Sequence, residues 1–284
     1  AGAYANTIDG ANLGDVNIGG VGSLTGSANF AGSASSSNVG DAAGDISAAA
    51  SQLNYVDGLE ATAGLNVASD AGINGLAAVD LGSSAESTSG QAAIASSNAG
   101  DLQGAQLGSA TIGGVGTVAG ETSLTSGAAS SNVTGQAISL NSLVNAEGLN
   151  QSGVLDVKSD ASVQGLANVS SSADASTTDG AATAATTSDT INGADLVGRL
   201  DIGGIGSIAG QANFGLSATS SNVSQKSEAD AESTTATGLI GKGTSGTTFG
   251  IDVASDSGLS GMAIGSLTAD ASSTAGSATA TAGA

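Results

Sequence analysis

Apolar or small side chains alternate with polar ones along extended stretches of the chain. In residues 24–34 the even positions carry Leu, Gly, Ala, Phe, Gly and Ala, and the odd positions carry mostly Thr, Ser and Asn. Residues 73–85, 118–128 and 208–218 follow the same rule. A period of two puts each set on its own face of a β-strand. These runs exceed the usual strand of about five or six residues, so the pattern predicts long, half-buried strands.

The abundance of alanine raises the alternative of a helical chain. Glycine costs about 1 kcal/mol per helical position relative to alanine, and serine and threonine are also poor helix formers. Glycine recurs every few residues, and no apolar stripe at helical spacing continues beyond a turn or two. The sequence therefore favours strands throughout, with at most a helical turn at residues 48–50.

Sequence markers recur three times in the same order. The marker IGG[VI]G begins at Ile18, Ile112 and Ile202, at offsets of 94 and 90 residues. A second marker, [LI]xVxSD, opens the latter half of each copy. It begins at Leu65, Leu155 and Ile251. Self-similarity at a fixed long period is the signature of a repeat architecture.

These markers predict three tandem β-repeats over residues 1–99, 100–189 and 190–284, joined in one continuous structural unit. Each repeat contains two related parts of about 45 to 50 residues, and each part is a turn followed by a long strand. The predicted fold class is all-β, with tandem repeats of long alternating strands that form a β-solenoid, an elongated β-sandwich or a stack of β-sheets.

Paired glycines lie just before the long strands. Two adjacent glycines can adopt the positive φ angles of a tight hairpin, so each pair is predicted as a structural turn. Val21 and Leu24 have opposite parity and cannot both face one core on a regular strand. A β-bulge or a solenoid corner would each resolve this conflict, and the sequence leaves both open. The predicted turn residues are Gly19, Gly20, Gly113, Gly114, Gly203 and Gly204.

The composition removes most catalytic chemistry. The chain has no His, Cys, Pro or Trp, and aromatic residues make up 2% of it. Without His or Cys, the common nucleophile–base pairs and Cys/His metal sites are excluded. A pair of carboxylates or a Ser–Lys dyad remains. The 25 acidic residues make chance proximity of two carboxylates common, and a glycosidase cleft would also need aromatic platforms. We predict that the chain is not an enzyme and has no catalytic or cofactor-binding residues.

Calcium is the one cofactor for which the sequence offers candidates. Asp70, Asp160 and Asp256 recur at equivalent positions of the second marker. The chain lacks both the EF-hand loop and the glycine-rich nonapeptide of calcium-binding β-rolls. Aspartate and serine at such positions also cap turns through local side-chain to backbone hydrogen bonds. Turn capping is therefore the favoured interpretation, and these residues are the candidates if calcium binds.

A net charge of −21 restricts the possible partners. It excludes a basic nucleic-acid footprint and disfavours binding to anionic membranes. No run of apolar residues approaches the length of a transmembrane helix, so no membrane span is predicted. The Ala-Gly-Ala start is plausible after removal of a secretory signal, and absence of Cys fits many bacterial extracellular proteins. We expect an extracellular or cell-surface location.

The three IGG[VI]G[ST] copies, the three [LI]xVxSD copies and the Gly/Ala/Ser/Thr-rich alternation between them cover nearly the whole chain. In this it resembles secreted bacterial β-repeat proteins, which include subunits of extracellular filaments, sheaths and biofilm matrices, and repeat adhesins. It differs from curli-type functional amyloids, because it lacks their short-period Gln and Asn ladder. The resemblance implies a structural or adhesive role outside the cell.

The hypothesis that these features favour is a structural subunit of an extracellular filament or matrix, whose partner is another copy of itself. Long strands leave edges, and this chain has no Pro and few Lys to block them. Pairing between copies, by edge pairing or strand donation, is therefore expected, with residues 274–284 a candidate donor. The alternative is a repeat adhesin or another surface-binding module, including an ice-binding one.

Overall fold

A computed structural model describes residues 1–38, 44–89, 92–241 and 250–283. Within these ranges the chain forms seventeen β-strands and no helix, which confirms the all-β prediction. Residues 48–50 lie inside a strand, so the expectation of a helical turn there was wrong. Every pair of neighbouring strands is parallel, and the strands divide into two sheets.

Sheet B is a regular array of six parallel strands, each 17 residues long. Its first residues are spaced by 49, 45, 45, 45 and 51 residues, and the pairing between neighbours is continuous over the whole strand length. The strands, in spatial order, are β3 (Gly22–Asn38), β5 (Ala71–Ser87), β7 (Gly116–Asn132), β10 (Ala161–Thr177), β13 (Gly206–Asn222) and β16 (Ser257–Ser273).

Sheet A contains the segments that lie between the strands of sheet B. Most of its layers begin with a long strand, and in several of them a short strand follows before the chain crosses to sheet B. The strands are β1 (Gly2–Asn12), β2 (Val16–Ile18), β4 (Ile46–Val67), β6 (Ala92–Ile112), β8 (Gln136–Gln151), β9 (Val154–Val157), β11 (Ala182–Leu196), β12 (Arg199–Ile202), β14 (Ser227–Gly241), β15 (Ile251–Val253) and β17 (Ala278–Gly283).

The chain therefore runs along sheet A, turns a corner, returns along sheet B, and turns again to start the next layer. This path makes a flattened, solenoid-like stack of parallel coils, and it excludes a sandwich built from antiparallel hairpins. Each coil contacts mainly the coil before and the coil after it, as in other solenoids. The division into three units at residues 99 and 189 stays a prediction.

The alternation predicted for the long strands is present as an alternation of burial. In β3 the even residues from Gly22 to Ala28 are buried and the odd ones are exposed. Equivalent inward residues of successive strands stack into apolar ladders through the core. One ladder consists of Leu24, Ile73, Val118, Val163 and Ile208, with exposed fractions of 8, 0, 1, 0 and 1%.

A double row of glycines brings the two sheets into backbone contact at mid-width. A Cβ atom on Gly120 of sheet B would lie 2.0 Å from the carbonyl oxygen of Gly148 in sheet A. A Cβ atom on Gly148 would lie 2.3 Å from the backbone nitrogen of Leu166. We call this double row the glycine waist. Its other members, coil by coil, are Gly26, Gly58, Gly75, Gly104, Gly165, Gly193, Gly210 and Gly238.

The glycine waist separates two apolar cores on either side of it. Leu24 and Leu59 belong to one core, while Ala28 and Val56 belong to the other. Beyond the second core the interior is so thin that small hydroxyl side chains meet across it, as Ser130 and Ser139 do at 2.8 Å. Small residues thus replace the large side chains of an ordinary core and let the sheets pack closely.

The paired glycines lie at corners that connect sheet A to sheet B. Gly19 and Gly20 follow β2 of sheet A and precede β3 of sheet B, so the hairpin hypothesis was wrong. None of the six predicted turn glycines has a φ in the left-handed region. The corner also resolves the parity conflict, because Val21 lies on the corner with 75% of its surface exposed while Leu24 faces the core.

Candidate interaction surfaces at the ends of the solenoid

Two of the three predicted calcium candidates, Asp70 and Asp160, act as caps between successive corners. An Oδ1 atom of Asp70 accepts a hydrogen bond of 2.8 Å from the backbone N–H of Val115 in the next coil. Asp160 accepts an equivalent bond of 2.8 Å from the N–H of Ile205. These bonds satisfy a backbone donor at the next corner, 45 residues along the chain, whereas the sequence had predicted local caps within each turn.

Gly–Gly corners and Ser–Asp corners alternate along the solenoid, and each Gly–Gly corner fits the Ser–Asp corner before it. Gly113 lies against the carbonyl oxygen of Ala68, where a Cβ atom would come within 2.3 Å of that oxygen. Gly114 lies against the carboxylate of Asp70, with a corresponding distance of 2.1 Å. The same contacts recur one repeat later. There Gly203 meets Lys158 and Gly204 meets Asp160.

The first and last corners lack this partner. Cβ atoms on Gly19 and Gly20 would have no atom within 4 Å, because none of the described residues packs against that side of the corner. Asp256 occupies the position of Asp70 and Asp160 in the last described coil, and no further coil among the described residues stacks on it. In the described residues no group of three or more His, Cys, Asp or Glu side chains could hold a metal ion. The prediction of no cofactor, with Asp70, Asp160 and Asp256 as the candidates if calcium binds, stays a prediction.

The outer edges of sheet B are uncovered. β3 pairs only with β5, and β16 pairs only with β13, so each end presents a 17-residue strand with one unpaired side within the described ranges. Backbone N–H and C=O groups on such edges are templates for another strand. β3 carries no charged residue, and Asp270 is the one charged residue of β16.

The last coil also leaves apolar side chains exposed. Leu259 extends the ladder that contains Ile208, yet 53% of its surface is exposed, against 1% for Ile208. The first ten residues of β16 are all exposed, whereas its remaining residues alternate between half-buried and exposed. The reason is that β17 covers only one end of β14. We call β16, β15 and the uncovered part of β14 the C-terminal edge, and β1, β2 and β3 the N-terminal edge.

The candidate donor segment folds back onto its own chain. Residues 278–283 form β17, which pairs in parallel with Ser227–Glu232 of β14. Thr281 and Ala282 lie in this pairing opposite Asp230 and Ala231. Strand donation is therefore not needed to place this segment, and the uncovered edges remain as the sites for pairing.

Acidic and amide side chains stack in a row on sheet A beside the glycine waist. Asp57 lies between Asp9 and Gln103 on the neighbouring strands, and its surface is only 5% exposed. Its Oδ1 atom has no hydrogen-bond partner among the described residues. Burial, followed by the charges of Glu60, Asp9 and Asp101, raises the pKa of Asp57 from 3.8 to about 7. Burial and the nearby Glu147 also raise the pKa of Asp101.

The raised pKa of Asp57 predicts that folding stability falls as the pH rises. The folded chain holds this proton more tightly than the unfolded chain, so its contribution is fully present below about pH 4 and is lost as the pH rises through about 7. We expect Asp57→Asn to raise the unfolding temperature at pH 8 by a few degrees and to have little effect at pH 4. Thermal unfolding by circular dichroism at both pH values measures the difference, with Asp80→Asn on the exposed face of β5 as control. An equal effect at both pH values would contradict the prediction.

A shallow groove with a volume of about 390 Å³ lies on the outer face of sheet B, over the glycine waist. Thr25, Asn74, Leu76, Glu121 and Gln164 are among the side chains that line it. Its lining combines glycine, alanine and leucine with uncharged polar side chains, and Glu121 is its charged group. The groove follows from the approach of the two backbones and brings no group of catalytic side chains together.

The glycine waist was missed at the level of sequence. Gly75, Gly120, Gly165 and Gly210 recur at a constant spacing of 45 residues, which equals the coil length. That spacing is the signal that could have identified them. The markers used instead lie at the corners, so they reported corner chemistry and not the contact between the sheets.

No protein family, no curated protein and no solved structure matches this chain. The part of the chain that the structure describes contains no helix long and apolar enough to span a membrane. Inferences about function therefore depend on the geometry of this molecule.

Proposed function

We propose that this chain is a structural subunit of an extracellular filament or matrix and that it assembles with copies of itself by pairing of strand edges. The observation that carries the proposal is the pair of uncovered 17-residue edges at the two ends of sheet B. Strands of this length without blocking residues pair readily, and natural proteins that stay monomeric protect them with Pro, Lys, bulges or covering loops.

The distribution of charge supports assembly along the solenoid axis. The chain carries a net charge of −21, but the two outer strands of sheet B contain Asp270 as their one charged residue. Repulsion between the acidic sides of neighbouring particles opposes sideways association, whereas the outer strands of sheet B meet with little charge. Growth at the ends gives a filament one subunit wide.

Edge pairing predicts assembly that depends on concentration and on the unpaired side of β3. The N–H of Gly22 bonds to Asp70 in the neighbouring coil, so the odd residues of β3 direct their N–H groups outwards. We expect Ser33→Pro to keep the fold, because it removes only an outward N–H, and to raise the critical concentration for assembly roughly tenfold or more. Sedimentation velocity and negative-stain electron microscopy over a concentration series measure both effects.

The matched control is Ser162→Pro in the central strand β10, which has paired neighbours on both sides and should lose folding stability instead. A wild-type chain that stays monomeric at every concentration would contradict the proposal. That result would favour the alternative of a discrete surface-binding module.

A further inference from the structure

We infer that copies of this chain stack head to tail, with the C-terminal edge of one copy pairing in parallel and in register with the N-terminal edge of the next. The inference rests on the proposed function and deepens it by identifying the partner surface. The occupant of each end is a second copy of the chain, placed as if it were the next coil of the same solenoid.

The order of corner types supports this arrangement. Gly–Gly and Ser–Asp corners alternate through six coils, and the chain begins with a Gly–Gly corner at Gly19 and Gly20 and ends with a Ser–Asp corner at Asp256. Stacking the start of one copy on the end of another continues the alternation without interruption. Two starts or two ends placed together would break it.

The terminal corners contain the groups needed for the contacts made by the internal corners. Within the chain, each Gly–Gly corner fits the preceding Ser–Asp corner, and Asp70 caps the N–H of Val115. In the stack, Asp256 would cap the N–H of Val21 in the next copy. Gly19 and Gly20 have open space where the internal glycines have close neighbours, so their positions are ready for Ala254 and Asp256 of the preceding copy.

The apolar ladders would also continue across the junction. The row of Leu200 ends at the half-buried Ile251, and the row of Leu65 begins at the half-buried Val16. Leu259 would meet Leu24 of the next copy in the same way. Each junction covers apolar side chains that are exposed at one end of the solenoid, and this burial favours association.

Sheet A fits the same register, with one adjustment. β17 fills the first part of the strand position beside β14, and residues 5–12 of the next copy match the uncovered part from Ser233 to Ile240. Residues 2–4 of that copy overlap residues 281–283 of β17, so one of these short ends must move aside. The stack loses three paired residues at this overlap, whereas it gains seventeen residue pairs between β16 of one copy and β3 of the next.

Gly20→Ala tests the corner contact without disturbing the isolated chain. A Cβ atom on Gly20 meets no atom in the monomer, but in the stack it would collide with the carboxylate of Asp256. The equivalent contact within the chain is that of a Cβ atom on Gly114 with the carboxylate of Asp70. We expect an unchanged unfolding temperature for the monomer and a rise in the critical concentration of roughly tenfold or more. Gly114→Ala should lower the unfolding temperature, and Gly82→Ala, which has open space on an outer face, should change neither. Normal assembly of Gly20→Ala would overturn the inference.

Cross-linking tests the register directly, because the chain contains no Cys. Thr25 and Ser260 share one row of the sheet and would lie about 5 Å apart across the junction. The double variant Thr25→Cys/Ser260→Cys, treated with a short bis-maleimide, should give a ladder of covalent oligomers. The double variant Ser33→Cys/Ser260→Cys should give none, since its thiols would be separated by roughly 26 Å.

The outcomes separate failure of the inference from failure of the proposed function. Filaments that form without the Thr25–Ser260 cross-link would overturn head-to-tail stacking and leave edge assembly intact. Cross-linked dimers from Ser260→Cys alone would indicate end-to-end contact of identical edges and would also overturn the inference. Absence of any assembly would overturn both.

Discussion

Gly148→Ala should destabilise the folded chain by about 3 kcal/mol or more, because the new methyl group enters the backbone contact between the two sheets. The new Cβ atom would lie 2.3 Å from the nitrogen of Leu166 and 2.5 Å from the carbonyl oxygen of Gly193. Both contacts are with backbone, so no side-chain rotation relieves them. The two sheets would have to separate at the glycine waist and loosen the apolar cores on both sides.

Denaturant unfolding monitored by circular dichroism measures this effect. Gly215→Ala on the outer face of β13 is the control, because a Cβ atom there has no neighbour within 4 Å and the substitution should be neutral or slightly stabilising. Gly120→Ala should cost as much as Gly148→Ala, since its Cβ would strike the carbonyl oxygen of Gly148. The double variant should cost less than the sum, because one separation of the sheets accommodates both methyl groups. Equal stability of Gly148→Ala and Gly215→Ala would contradict the glycine waist.

Deletion of residues 71–160 should leave a shorter but well-folded solenoid, whereas deletion of residues 71–115 should not. The first deletion removes two coils and joins Asp70 directly to Ala161, which holds the position of Ala71 two coils later. The shortened chain still places a Gly–Gly corner on each internal Ser–Asp corner. The second removes one coil and places Ser159 where Gly114 stood. A Cβ atom at that place would lie 2.1 Å from the carboxylate of Asp70.

The comparison of the two deletions decides whether the structural repeat of the solenoid is one coil or two coils. Solenoid stability is close to a sum over coils and their junctions, so removal of two matched coils costs their share and no more. We expect the two-coil deletion to unfold cooperatively, and the one-coil deletion to unfold at a lower temperature although it is longer. Thermal unfolding of both variants beside the full chain measures this. Higher stability of the one-coil deletion would show that corner alternation has no structural role.

The strands themselves could be predicted from local pattern. Residues 24–34 alternate in sequence and alternate in burial in β3, because side chains of a strand point to opposite faces whatever lies beside it. The opposite parity of Val21 and Leu24 likewise predicted a β-bulge or a corner between them. Whether neighbouring strands would be parallel or antiparallel was not readable, since a period of two is common to both.

The candidate site was only partly predictable. Asp70 and Asp160 were identified as recurring turn residues, but their side chains cap the N–H groups of the next coil and not of their own turn, as the sequence had predicted. The need for Gly113 and Gly114 arises from the coil 45 residues away and not from positive φ angles, so local turn rules gave the wrong reason for them. The high pKa of Asp57 could not be predicted from the sequence for the same reason. Burial and charges that include those of neighbouring coils produce it.

The sequence by itself determined that this chain is all-β, that it is built from recurring segments and that it lacks the side chains of common catalytic sites. The tertiary structure alone decided that the segments stack in parallel, that glycines bring two backbones together at the waist, and that within the described residues both ends of sheet B are uncovered. The physical reason is that strand periodicity is a property of adjacent residues. Coil stacking, sheet contact and edge exposure depend on residues that are far apart along the chain and meet only after folding.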